Sequence, residues 1–144
     1  MMKREKQDVL VKADPAEWFA RARKDVEFAR MGRDRKLWVE SVLFCQRSVE
    51  KALTAYLSVR MVAFAMTHDV LRLFRIAQGD EAELGKWADD AAWLAAFKPE
   101  VPGTATTAPA KLPPAGPADL DRALGFAQAL LEWVGERLPP PGSN

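Results

Sequence analysis

The chain has 144 residues, 49% of them apolar and 28% charged, with a formal net charge of +1. That is the size and make-up of one globular domain able to bury a core, and it excludes a disordered polyelectrolyte. A charge this close to neutral supplies no general field for nucleic acid or an anionic membrane, and the lone cysteine, Cys45, excludes an intramolecular disulfide. Charge is uneven along the chain, however. Residues 1–36 hold eleven of the 21 Lys and Arg against seven acids, and Asp80, Glu81, Glu83, Asp89 and Asp90 make a local acidic run.

Residues 1–13 are charged and lack the apolar stretch of about 7–15 residues that a signal peptide carries. They are expected to form a flexible N-terminal segment. No apolar run approaches the ~20 residues of a membrane span, so a cytoplasmic location without membrane contact is expected. Asp14-Pro15-Ala16-Glu17 is a helix start, with Asp as N-cap, Pro in the first helical position and Glu three residues after the cap. Trp18, Phe19, Ala22, Val26 and Ala29 then share one face, and Gly32 is expected to end the helix.

From Lys36 to about Val59 there is neither Gly nor Pro. Trp38, Val42, Cys45, Val49, Ala52 and Tyr56 follow one another at spacings of four and three, which makes a continuous buried stripe. Leu53, Leu57 and Val39 widen that stripe on one side, Phe44 and Ala55 on the other. A helix apolar over so wide an arc is covered on more than one side, so it should be central.

After a short apolar crossing, Thr67 is expected to cap a helix running to about Ala77, with Gly79-Asp80 breaking it. A fourth helix is expected from about Glu81 to Phe97. Residues 98–116 contain five prolines and two glycines and read as an extended, mobile loop. The last helix should run from about Ala118 to Leu138, stopped by Pro139-Pro140-Pro141, with residues 139–144 as a disordered tail. Period-two alternation is absent. The fold class that follows is all-α, an antiparallel up-down bundle of four to five helices over residues 14–138.

Phe44-Cys45-Gln46-Arg47-Ser48-Val49-Glu50-Lys51-Ala52-Leu53-Thr54-Ala55-Tyr56-Leu57 resembles the central-helix signature of HEPN domains. Upstream, Trp18, Ala22, Asp25 and Ala29 resemble the first helix of that family. Downstream, Thr67-His68-Asp69-Val70-Leu71 resembles its Thr-His-Asp-Leu turn. The three pieces come in the family's order. The resemblance implies a helical bundle, usually dimeric, often encoded beside a minimal nucleotidyltransferase in toxin–antitoxin-like pairs. Some members are metal-independent ribonucleases with an Arg-x4-6-His motif. Here the single histidine, His68, follows Arg60 with seven residues between them. Where relatives often carry an Arg-x-Arg-Tyr-Pro-like string, this chain has Ala95-Ala96-Phe97-Lys98-Pro99.

Two readings follow from different classes. The first is a non-catalytic binding module, homodimeric, partnered with a nucleotidyltransferase or holding a nucleotide or RNA. The other is a ribonuclease toxin using His68 with an Arg brought close by folding. The ligand site is expected around Gln46, Glu50, Lys51, His68 and Asp69, with no catalytic residue, cofactor or metal assigned. Gln46 and Glu50 lie one turn apart at the edge of the apolar arc and need partners there. They read either as a register-fixing network to His68 or the first helix, or as a polar patch at a dimer cleft that holds a nucleotide or a partner. His68 and Asp69 open a helix whose free N–H groups can hold an anion. One His and one Cys are too few for a closed zinc site.

The arginines and lysines of residues 21–36 read as a solvated face, because acids interleave with them and no aromatic platform accompanies them. Cys45, inside the stripe, reads as a buried, inert thiol. Trp93, Phe97, Phe126 and Trp133 lie off the main stripes and read either as contacts to a neighbouring helix or the Pro-rich loop, or as aromatics left over for a dimer interface, the reading on which the expected homodimer rests.

Overall fold

The computed structural model describes residues 14–64, 67–98 and 113–140. Expectations for residues 1–13, for most of the loop at 98–116 and for the last four residues lie outside the described residues. Among the described residues the helical elements are five α-helices and one 3₁₀ turn: α1 (Pro15–Asp34), α2 (Trp38–Val59), α3 (Val70–Asp80), the 3₁₀ turn (Ala82–Trp87), α4 (Ala88–Ala95) and α5 (Pro117–Gly135). The all-α bundle is thus the fold, and α2 is its centre, packed against each of the other four helices.

The stripe along α2 explains that position. Val42, Cys45, Val49, Ala52, Leu53, Tyr56 and Leu57 are all buried, while Trp38 at the first turn is only half-buried. α1 packs on α2 more extensively than any other pair because the facing residues are small. Gly32 meets Ser41, Ser48 Oγ donates to the Ala22 carbonyl at 2.7 Å, and Ala22, Ala29 and Cys45 are fully buried. A Cβ at Gly32 would collide with Ser41 Oγ. Gly32 therefore serves close approach, and it does not end the helix as expected.

The stop comes later, at a Schellman motif. Lys36 adopts φ 59°, with Lys36 N–H donating to Arg33 C=O at 3.0 Å and Leu37 N–H to Gly32 C=O at 2.9 Å. The end of α2 repeats it. Met61 adopts φ 57°, Met61 N–H reaches Ser58 C=O at 3.2 Å and Val62 N–H reaches Leu57 C=O at 3.0 Å.

Other boundaries also differ from expectation. The cap of α3 is Asp69, whose Oδ1 accepts from Arg72 N–H at 3.2 Å, while Thr67 Oγ1 accepts from Asp69 N–H at 3.0 Å. Helix α3 runs through Gly79 to Asp80. The segment read as one helix from Glu81 is split, because residues 82–87 tighten into a 3₁₀ turn that seats Leu84 in the core. α5 starts at Pro117, where Asp119 Oδ2 accepts from Gly116 N–H at 2.8 Å, and ends at Gly135, with Leu138 packed on the core beyond it.

The aromatics held in reserve for an interface are largely consumed inside the chain. Phe126 is buried against Phe74 and Trp87, each ring pair at 6.3 Å. Trp133 is buried against Tyr56 at 4.9 Å, with its indole N–H on Glu83. Trp93 and Phe97 are half-buried and meet edge to face at 5.1 Å, and the Arg122 guanidinium covers Trp93. α5 faces α1, α2 and α4 together, so its apolar arc is wider than one stripe. The surplus-aromatic argument for a dimer loses its basis for that reason.

Candidate functional site

The middle of α2, on the side that meets α3 and α4, carries Gln46 and Glu50, two of the polar residues singled out above. Gln46, half-buried, donates from Nε2 to the Leu94 carbonyl at 2.9 Å and to the Phe97 carbonyl at 2.8 Å. These carbonyls belong to the last turn of α4 and to the chain just past it, where helical partners run out. Gln46 is thus a clamp on the end of α4.

One turn on, Glu50 Oε1 lies 2.7 Å from His68 Nδ1. Glu50 is 17% exposed at its side chain and His68 97%. The carboxylate therefore fixes the imidazole through Nδ1 and leaves the rest of the ring in solvent. Asp69 follows as the cap of α3. Its carboxylate occupies the helix N-terminus, so that the anion favoured there is the protein's own. A cleft of ≈ 400 Å³ joins these groups, lined by Gln46, Thr67, His68, Asp69, Val70, Ala95 and Lys98.

Lys51 is not part of this group. Its Nζ pairs with Asp25 Oδ2 of α1 at 2.7 Å, and Asp25 is buried. Neighbouring positions on a helix diverge by about 100°, which is why Glu50 meets His68 beside α3 while Lys51 meets α1. Lys98 and Thr67 are the polar cleft residues not included in the expected site. Lys98 stands at the edge of the Pro-rich segment, with no periodicity to place it, and Thr67 has the look of an ordinary cap.

Arg60 stands apart from His68. Its Nε donates to Asp80 Oδ2 at 2.9 Å, and Tyr56 Oη donates to the same oxygen at 2.6 Å. The Tyr56 hydrogen bond holds the Asp80 carboxyl below its usual range, with Arg60 adding to it. Burial, then the Asp80 carboxylate, push the Tyr56 phenol well above its own. Cys45 is buried, and desolvation raises its thiol to about 12, which leaves it protonated and inert. Among the described residues no group of His, Cys, Asp and Glu could hold a metal ion, and no helix is long and apolar enough to cross a membrane.

Helical architecture and signature residues agree with the comparisons. The family model for the HEPN domain matches residues 15–138, nearly the whole chain. This protein belongs to the HEPN domain family. Among solved structures it is similar to TT1696 from Thermus thermophilus, with a TM-score of 0.71 and 22% identity over 86% of this chain and 98% of that one. It is also similar to ST0689, described as an archaeal HEPN homologue, with a TM-score of 0.67 and 18% identity over 88% and 98% of the two chains. At such identities the likeness is one of fold. The comparison with curated proteins gave no match.

Proposed function

We propose that this chain is a non-catalytic HEPN binding module, homodimeric, which holds a nucleotide or an RNA end in the cleft between α2 and α3. It would act beside a minimal nucleotidyltransferase in a toxin–antitoxin-like pair. The observation that carries this reading is the separation of the two groups a ribonuclease of the family would join. The single histidine is held by Glu50, while the Arg preceding it is held by Asp80. Metal-independent cleavage of a phosphodiester needs a base or acid and a cation on the same phosphate. Asp69, which lines the cleft, suits the hydroxyl and amino donors of a ribose or base, and Lys98 on the same cleft suits a phosphate, while Glu50 acts through the His68 it holds.

One observation favours the alternative, a ribonuclease toxin using His68. A carboxylate on Nδ1 orients an exposed imidazole as a general base requires, and Arg72 lies one turn further along the chain, in α3. A broad RNA-cleavage assay combined with nucleotide titration of wild type, His68→Ala and Glu50→Ala separates the two. The binding reading expects no cleavage by wild type and weaker nucleotide binding in both variants. Cleavage lost in His68→Ala would establish the alternative, and binding unchanged in both variants would remove the cleft as the site. Sedimentation at tens of micromolar is expected to give twice the 16.0 kDa chain mass, and a monomer would defeat the dimer.

A further inference from the structure

Gln46 has one more polar atom than the fold uses. Both hydrogens of its amide are engaged inside the protein, on the Leu94 carbonyl at 2.9 Å and on the Phe97 carbonyl at 2.8 Å. A side-chain amide on the wall of a cleft can ordinarily turn over and offer either N–H or C=O. Here it cannot, because turning over would set Oε1 against two carbonyl oxygens and leave both without a donor. Among the described residues nothing donates to Oε1, and the atom is not sealed from solvent. What Gln46 shows to the cleft it lines is therefore a fixed acceptor.

The groups beside it have the same polarity. The Glu50 carboxylate accepts from His68 Nδ1–H, which leaves Nε2 of the neutral ring as a lone pair. Asp69 uses Oδ1 on the Arg72 N–H and has Oδ2 left over. Val70 and Ala95 add apolar wall, and among the described residues no aromatic ring lines the cleft, so stacking is not what selects its ligand. The donors are the Thr67 hydroxyl and the Lys98 ammonium. Lys98 directly follows Phe97, whose carbonyl Gln46 holds, so one amide both faces the cleft and fixes the start of the residue that carries the cation.

We infer that Gln46 selects the base held in this cleft: adenine or cytosine, whose exocyclic amine donates to Oε1, over a base with a carbonyl in that place. The inference rests on the nucleotide reading proposed above and names the ligand within it. A carbonyl-bearing base would bring its oxygen against an acceptor that cannot turn away. A site that leaves a fixed polar group unpaired discriminates more strongly than one that only fits a shape. His68 Nε2 and Asp69 Oδ2 supply acceptors for the second amine hydrogen or for ribose hydroxyls. Holding the end of α4 accounts for Nε2 alone, since any side chain with two donors would do it. The carbonyl of Gln46 is the part that this duty leaves over.

The test is calorimetric titration of the full-length protein with AMP, IMP, CMP and UMP, two pairs in which a carbonyl replaces the amine. Wild type is expected to bind AMP at least ~10-fold more tightly than IMP, and CMP more tightly than UMP by a similar factor. Gln46→Leu removes the acceptor and should bring each ratio to within about twofold of one. That variant also loosens the end of α4, so Gln46→Lys is the sharper probe. An ammonium can still donate to both carbonyls, yet it offers the cleft N–H in place of an acceptor. Gln46→Lys should reverse the order, with IMP above AMP and UMP above CMP, a gain that a misfolded protein cannot show. Equal affinities of wild type for AMP and IMP, or an amine preference retained in Gln46→Lys, would overturn the inference and leave the nucleotide reading standing. Absence of binding by all four nucleotides would overturn that reading and this inference with it.

Discussion

Gln46 uses one amide nitrogen to hold two carbonyls at the end of α4, in a place only half open to water. Replacing it by Leu keeps the bulk and removes the donors, so both carbonyls lose their side-chain partner. Gln46→Leu is expected to cost about 1–3 kcal/mol in chemical denaturation; a loss within experimental error would show that water replaces the amide. Val49 stands three residues on, fully inside the stripe of α2. Val49→Asp would bury an unpaired carboxylate among apolar side chains and should destabilise by roughly 3 kcal/mol or more. A melting temperature equal to wild type would contradict the central placement of α2. The pair Lys51–Asp25 shows the same residue-scale logic from the other side. A buried acid on α1 is tolerated because a lysine one helix away reaches it.

At the scale of the elements, the ends of α1 and α2 share one unusual choice. The left-handed C′ position, normally given to glycine, is occupied by Lys36 in one and Met61 in the other. A side chain there costs about 1–2 kcal/mol, of which glycine's extra chain entropy returns part. Met61 is 69% exposed, so trimming it forfeits little packing. Lys36→Gly and Met61→Gly are each expected to raise stability by about 0.5–1 kcal/mol in urea unfolding. Met61→Ala, which keeps the Cβ, should not. Equal effects of Gly and Ala at residue 61 would mean the motif is not the source. Helix α4 illustrates the opposite case, a short element held from outside. Its C-terminus hangs on Gln46, and Asp90 in its first turn pairs with Arg122 of α5 at 2.9 Å.

Across the whole molecule, the Tyr56–Asp80–Arg60 group ties α2 to the end of α3, with Trp133 of α5 against the Tyr56 ring. Both titrating members favour neutral pH. Asp80 has a lowered pKa in the fold, so the stability it adds is present above the unfolded value near 3.8 and is lost as pH falls through the folded one. Tyr56 has a raised pKa, so its contribution is complete below the unfolded value near 10.0 and declines as pH rises above it. Melting temperature against pH is therefore expected to show a plateau with an acid limb and an alkaline limb. Asp80→Asn should flatten the first and Tyr56→Phe the second. An alkaline limb of Tyr56→Phe parallel to that of wild type would assign the loss to other groups.

Much of this architecture can be read directly from residue order. The Val42-to-Tyr56 stripe marks a helix with neighbours on several sides, and Phe44 to Leu57 carry the family signature. Asp14-Pro15 announces the start of α1, and Cys45 in the stripe is correctly an interior thiol. These features are legible because hydrophobic spacing and caps act within one helix, over three or four residues. What a helix touches is a different kind of fact. Periodicity shows that Phe126 and Trp133 leave the main stripe of α5, but only the placement of three neighbouring helices shows that they are interior. It shows Glu50 and Lys51 pointing apart, but not that one meets His68 and the other Asp25. Gly32 has the residue type of a helix stop and the location of a helix contact. The cleft combines residues from Gln46 to Lys98, and such a surface exists only once packing has set the distances between helices.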